Sequence, residues 1–295
     1  MSAAAAAAAA ARRHRRRELA RLALFFGPAA LYALVFMVLP YANLLQFSVW
    51  RVENYAVAPD LTLANYGRVF ANPLYLKVLG NSFQVAAIVT AAAVALGYPL
   101  ALFVACFAGR SRRLLYFLVV IPLWTSFLLR AFIWRIILGR EGVINSALGF
   151  LGLTDQPLSM LLFNRFSVCV ALTYVFVPFV VLPVHAAIEK IPPELLEASL
   201  DLGAGPWRTL RRVILPLSLP GLLAGAVFAF CLSFGDFVAP TLLGGPSGLM
   251  ISSVIINQFG AAFDWPFGSA LAVITILVVG AAVLLVGRLE RRAHA

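Results

Sequence analysis

The sequence predicts an all-α, polytopic membrane protein. It has six transmembrane helices, both termini in the cytoplasm, and a short cytoplasmic helix between spans 4 and 5. Three observations carry this fold class. The chain of 295 residues is 62% hydrophobic, with a mean hydropathy of +0.95. Only 12% of its residues are charged, about half the share of roughly 25% usual in soluble domains, so the apolar surplus exceeds one aqueous core. Finally, the Lys and Arg residues fall in short clusters between apolar runs, as topology signals do. The net charge of +11 is thus spread along the chain and forms no groove-like patch, so nucleic acid is not an expected partner.

A spanning helix needs about 20 mostly apolar residues. Six stretches qualify: 22–47, 79–107, 114–138, 166–188, 213–243 and 267–287. Residues 1–21, alanines followed by "RRHRRR", read as a disordered basic cytoplasmic tail. The apolar run after it is too long for the h-region of a signal peptide, so it is read as an uncleaved first span. Residues 22–292 form the six-span domain. Pro40, Pro99, Pro122, Pro178 and Pro183 predict kinks whose freed backbone groups neighbouring helices satisfy. The fifth stretch is broken by Pro216 and Pro220, which places its first turns near the interface.

Orientation follows from the basic residues. Sixteen of the 23 flank one set of span ends: six in the tail up to Arg21, then Arg110, Arg112, Arg113, Lys190, Arg208, Arg211, Arg212, Arg288, Arg291 and Arg292. Five lie on the other side, and Arg130 and Arg135 fall within the third span. The first set marks the cytoplasm. Three outer loops, 50–78, 139–165 and 244–266, carry Pro, Gly and aromatic residues and suit short interfacial helices. Trp50, Trp265, Tyr41 and Tyr55 sit near span ends, where an aromatic belt is expected.

One cytoplasmic stretch interrupts the hydrophobic pattern: "LLEASLDLGAGPWRTLRRVILPLSLPG", residues 195–221. Pro192 and Pro193 suit a helix's first turn, and Gly203 or Gly205 suits a left-handed C-terminal cap. At about 100° per residue, Glu194, Glu197 and Asp201 share one face, opposite Leu195, Leu196, Ser199 and Leu202. Acids near the start of a helix complement its dipole. Arg208, Arg211 and Arg212 follow, placed for lipid phosphates or for the helix's own acids. By itself this reads as an amphipathic interfacial connector.

Its spacing adds a second reading. "EAS" at 197–199, Gly203, and "VILP" at 213–216 resemble the signature EAA-x3-G-x9-I-x-L-P of permeases from binding-protein-dependent ABC importers. Ser199 stands for the second alanine and Val213 for isoleucine. The resemblance implies that this helix couples the membrane part to a cytoplasmic ATPase. Glu197 would make a polar contact to it, Ala198 would allow close approach, Gly203 would permit the sharp turn, and Leu215 and Pro216 would complete the motif. "PLWTSFLLRAFIWRIILGREGVIN" (122–145) and "FGDFVAPTLLGGP" (234–246) are similar to the spermidine/putrescine subclass. The likeness covers roughly residues 75–285. It implies two ATP-binding subunits, a second homologous permease in a heterodimer, an extracytoplasmic solute-binding protein, surrounding lipid, and residence in the cell's inner membrane. The subclass is also similar to transporters of opine-like compounds, amino-acid derivatives and ferric iron.

Ionisable residues within spans are functional candidates because they are costly in lipid. Asp236 is read deep in the fifth span, as a counter-charge to a cationic solute or as an ion-pair partner of Arg130 or Arg135. Trp124, Tyr174 and Phe234 are read on the same path, where aromatic faces bind ammonium groups. Phe127, Trp134 and Phe176 are weaker aromatic candidates. The sequence contains no G-x4-GK[ST] phosphate loop, and His14, His185 and His294 are scattered. An enzyme is therefore not expected, nor any cofactor or metal. Cys106, Cys169 and Cys231 sit in apolar runs without ligand spacing and read as plain thiols. A rival reading, an ion-coupled secondary transporter, calls for several intramembrane carboxylates and an inverted repeat. A membrane-anchored assembly protein would leave the Glu197–Pro216 spacing unexplained.

Overall fold

The computed structural model describes residues 18, 21–53 and 56–293; the rest of the basic tail and Tyr55 lie outside the described residues. Its order is α1 (Arg21–Ser48), a hairpin of β1 (Arg51–Glu53) and β2 (Ala56–Ala58), α2 (Ala64–Ala71) and α3 (Pro73–Phe107). Then come α4 (Gly109–Trp124), α5 (Phe127–Ile137), α6 (Val143–Phe150) and α7 (Arg165–Glu189). The last are α8 (Pro193–Asp201), α9 (Pro206–Phe234), α10 (Ile251–Phe259) and α11 (Trp265–Ala293). The strands pair antiparallel, Arg51 opposite Ala58.

Five helices, α1, α3, α7, α9 and α11, are long and apolar enough to cross a membrane, and α4 with α5 makes a sixth, broken span. That break corrects the expectation of a continuous third span: the two helices meet at 96°. Its cause is local. Pro122 offers no N–H, Thr125 and Ser126 adopt extended backbone (ψ 151° and 132°), and the Thr125 hydroxyl donates to the Pro122 carbonyl at 2.7 Å. The other prolines do not break their helices. Pro40 and Pro216 follow π turns at Leu34–Val38 and Leu210–Ile214, which contain the i−4 carbonyls that a proline cannot serve. Pro178 and Pro183 sit inside an unbroken α7.

α7 is the hub. Its apolar window is 61% buried within the chain, against 28% for α3 and α9, 17% for α11 and 0% for α1. Its start is fixed by a reciprocal capping box between Asn164 and Ser167. It packs against α3 and α9 through Val168, Leu172, Val175, Val180, Val181 and Val184, with Val85, Val89, Ala93 and Ala229 facing them. Small residues set the approach, as in other membrane interfaces. A Cβ on Gly221 would lie 2.5 Å from the Pro183 carbonyl, and one on Gly225 would lie 2.9 Å from Val180 Cα. A second core joins α3, α9, α10 and α11 through Val78, Ala86, Phe234, Ile251, Phe267 and Leu271.

Loops 50–78, 139–165 and 244–266 carry α2, α6 and α10, the short helices expected there, while the β-hairpin was not anticipated. Arg68 bonds Asp264 at 2.9 Å and lies over the Phe267 ring at 4.2 Å, tying α2 to the start of α11. The fifth span also differs from expectation. α9 begins at Pro206 and ends at Phe234, because Asp236 and Phe237 leave the helix after the cap at Gly235, before a short π turn at Pro240–Gly244.

Candidate functional site

α8 holds the charged motif. Glu194, Glu197, Ala198 and Asp201 are exposed, and the helix buries none of its residues. Its end is a Schellman motif. Gly203 has φ +71°, its N–H donates to the Leu200 carbonyl at 2.8 Å, and the Ala204 N–H donates to the Ser199 carbonyl at 3.0 Å. Glycine adopts that φ without penalty, and a Cβ here would meet nothing within 4 Å. The chain therefore turns sharply with the Gly203 side open.

Ser199 shares a hydrogen bond with Thr209 (Oγ···Oγ1 2.8 Å), so the serine in the second alanine position links α8 to the first turn of α9. Leu215 and Pro216 follow the π turn and begin the straight part of α9. Among the described residues, Arg208, Arg211 and Arg212 form no ion pair with the acids of α8. Arg208 and Arg212 instead line a cleft of about 340 Å³ beside Leu195, Ala198, Ser199 and Leu202. Leu195, Leu200, Leu202 and Trp207 are exposed around this segment, Leu202 by 88%. Only Leu196 packs on the main core.

A second site forms where α9 breaks. Asp236 is not deep within a continuous span; it lies two residues past the end of α9. Its Oδ1 accepts the Ala239 N–H at 2.8 Å, capping the next turn. The Phe234 carbonyl, freed by the break, accepts the Ser252 hydroxyl at 2.9 Å, so α10 seals it. Asp236 is 8% exposed and lines a pocket of about 320 Å³ with Arg130, Phe127, Phe176, Phe179 and Phe237.

Arg130 is equally buried, its guanidinium carbon lies 5.7 Å from the Phe127 ring, and its Nε and Nη1 have no acceptor. Among the described residues no ion pair joins Asp236 to Arg130 or to Arg135. Arg135 is exposed, over the Phe163 ring at 5.8 Å.

The aromatic candidates divide. Phe234 is 0% exposed in the second core, tilted against the Phe230 ring at 5.8 Å, and does not line the Asp236 pocket. Trp124 is 74% exposed at the break of the third span and lines neither of these pockets. Tyr174 packs edge-on to Trp134 at 5.6 Å and faces an apolar groove of about 850 Å³ between α3, α7 and the broken span. That is the opposite face of α7 from Val175, Phe176 and Phe179. Sequence reading missed Phe179 and Phe237. The spacing of Phe176 and Phe179, three apart on one helix face, was the available signal for the first.

Comparison with known proteins decides the assignment. The profile of the family described as "Binding-protein-dependent transport system inner membrane component" matches residues 97–294. The spermidine/putrescine transport system permease protein PotB of Escherichia coli K12 is 40% identical over 230 residues, 78% of this chain and 83% of the relative. The chain belongs to this family. It is the multi-pass inner-membrane permease subunit of an ABC importer.

A further relative of this permease, the inner membrane ABC transporter permease protein YdcU of E. coli K12, is 36% identical over 248 residues, covering 79% and 78% of the two chains. The fold of the permease is also that of a chain in the crystal structure of a bacterial ABC transporter for alginate. The TM-score is 0.78 at 20% identity, over 95% of this chain and 99% of that one. A chain of the methionine transporter MetNI superposes with a TM-score of 0.59 at 19% identity, over 74% and 95%.

Proposed function

We propose that the importer carries polyamines and that Asp236 meets their ammonium groups in the path. One observation carries this: a single carboxylate, 8% exposed, shares a pocket wall with four phenylalanines. A carboxylate and aromatic faces are the two groups that bind alkylammonium. Likeness to PotB supports the same solute class. α8 is the coupling helix, its exposed Glu197, Ala198 and Gly203 set against one of two cytoplasmic ATP-binding subunits. A second homologous permease completes the path, and an extracytoplasmic binding protein delivers the solute. Closure of the ATPase pair displaces α8, rocks α9 and α7 with it, and opens the path outward; hydrolysis reverses the motion.

The test is uptake of labelled spermidine and putrescine by the reconstituted complex carrying Asp236→Asn. Asn keeps the capping oxygen but loses the charge, so assembly is expected to stay intact. Loss of a charge-assisted contact of about 1.5–3 kcal/mol lowers uptake about tenfold or more. Unchanged uptake would reject Asp236 as the counter-charge. A second reading is favoured by Arg130: its unpartnered N–H groups on the same wall suit a solute bearing both amine and carboxylate. Competition by an amino-acid derivative, and none by putrescine, would select that reading.

A further inference from the structure

The cytoplasmic end of α7 carries a cluster that neither proposed site uses. Arg112 Nη2 of α4 lies 2.5 Å from Glu189 Oε1, the last residue of α7. The other carboxylate oxygen of Glu189 faces His185 Nδ1 at 3.5 Å, and the Tyr116 ring of α4 packs on His185 at 4.8 Å.

Three observations set this cluster apart from ordinary surface pairing. A carboxylate at a helix C-terminus opposes the helix dipole, and α7 has no basic residue in its last turn. The compensating charge comes from a helix 77 residues away in sequence. Next, residues Arg112–Val120 of α4 bury no side chain, so packing alone holds this helix weakly against α7. Finally, only residues 190–192 separate Glu189 from α8, and they are stiff: Ile191 is buried and Pro192 is followed directly by Pro193. A half-exposed ion pair adds little to stability, but here it joins two elements that otherwise meet through Tyr116 on His185 and the partly buried Val119.

We infer that Glu189 is a positioning residue for energy coupling. Through Arg112 it passes displacement of α8 to the start of the third span, so the broken span moves with the coupling helix. His185 and Tyr116 hold the carboxylate in place. This rests on the docking role proposed for α8.

The experiment uses the assembled importer in proteoliposomes, with its ATPase, partner permease and binding protein. Glu189→Gln, Arg112→Gln and the exchanged pair Arg112→Glu with Glu189→Arg are compared for solute imported per ATP hydrolysed. Each single variant is expected to lower that ratio about fivefold, the effect of a small coupling energy, while the ATPase still copurifies. The exchanged pair is expected to recover most of it. An unchanged ratio in the single variants overturns the inference, as does an exchanged pair no better than either of them. Loss of the ATPase from the single variants also overturns it, since the pair then serves assembly. Failure of the docking role itself reads differently: a bulky residue at 203 would leave ATPase copurification intact.

Discussion

Asp236 shows how one side chain serves two purposes that a substitution can separate. As a cap it accepts the Ala239 N–H, and as a charge it faces a pocket shared with Arg130. Asp236→Ala is expected to lose both, adding a capping cost of about 1 kcal/mol that a thermal melt of the purified complex will detect and that Asp236→Asn will not show. Gly203 separates in the same way. Gly203→Ala strains the backbone at φ +71° by roughly 1–2 kcal/mol yet meets no atom of the chain. Gly203→Trp adds a large group on the open side. It is expected to leave insertion intact and to abolish uptake and ATPase copurification. Normal uptake would remove α8 from the docking role. Ser199→Ala, which restores the motif's alanine, is expected to cost no more than about 1 kcal/mol, that of one hydroxyl bond to Thr209.

Among elements, the pairing of α7 with α9 is the least forgiving. A side chain at 221 would meet Pro183 and Ala187 at 2.5 and 2.7 Å, against helix backbone that cannot rotate away. Gly221→Val is expected to destabilise the protein by about 1–3 kcal/mol, measured by thermal unfolding in detergent. Gly280→Val in α11, where nothing lies within 4 Å, is the control. The elements also show what was legible. Span positions follow from hydropathy, and the end of α8 was legible to within Gly203 or Gly205, of which Gly203 takes the positive φ, because a C-terminal cap is a local event. The breaks at 125–126 and 235–236 interrupt apolar runs that hydropathy counts as continuous. Their signals were local too: Thr125–Ser126 before an apolar run, and Asp236 four residues before Pro240, are both helix-start patterns. The Arg112–Glu189 pair had no such signal, since 77 residues separate its members. Nor did the burial of Phe234, which tertiary packing alone decides.

At the scale of the molecule, we propose from the distribution of Lys and Arg that α8 lies on the cytoplasmic side, with both termini. Single cysteines at Leu200 and Trp50, in a background lacking the three native cysteines, test this. A membrane-impermeant maleimide is expected to label Trp50→Cys in intact cells and Leu200→Cys only in inside-out vesicles; the reverse pattern would invert the topology. The uneven burial of the spans, 61% for α7 and 0% for α1, bears on how such a sequence drifts. In saturation mutagenesis scored by uptake, positions 168–188 would accept few replacements beyond near-isosteres, while most of α1 would tolerate exchange among apolar residues. Lineages diverging from a common ancestor would then keep the fourth span recognisable long after the first had lost its resemblance.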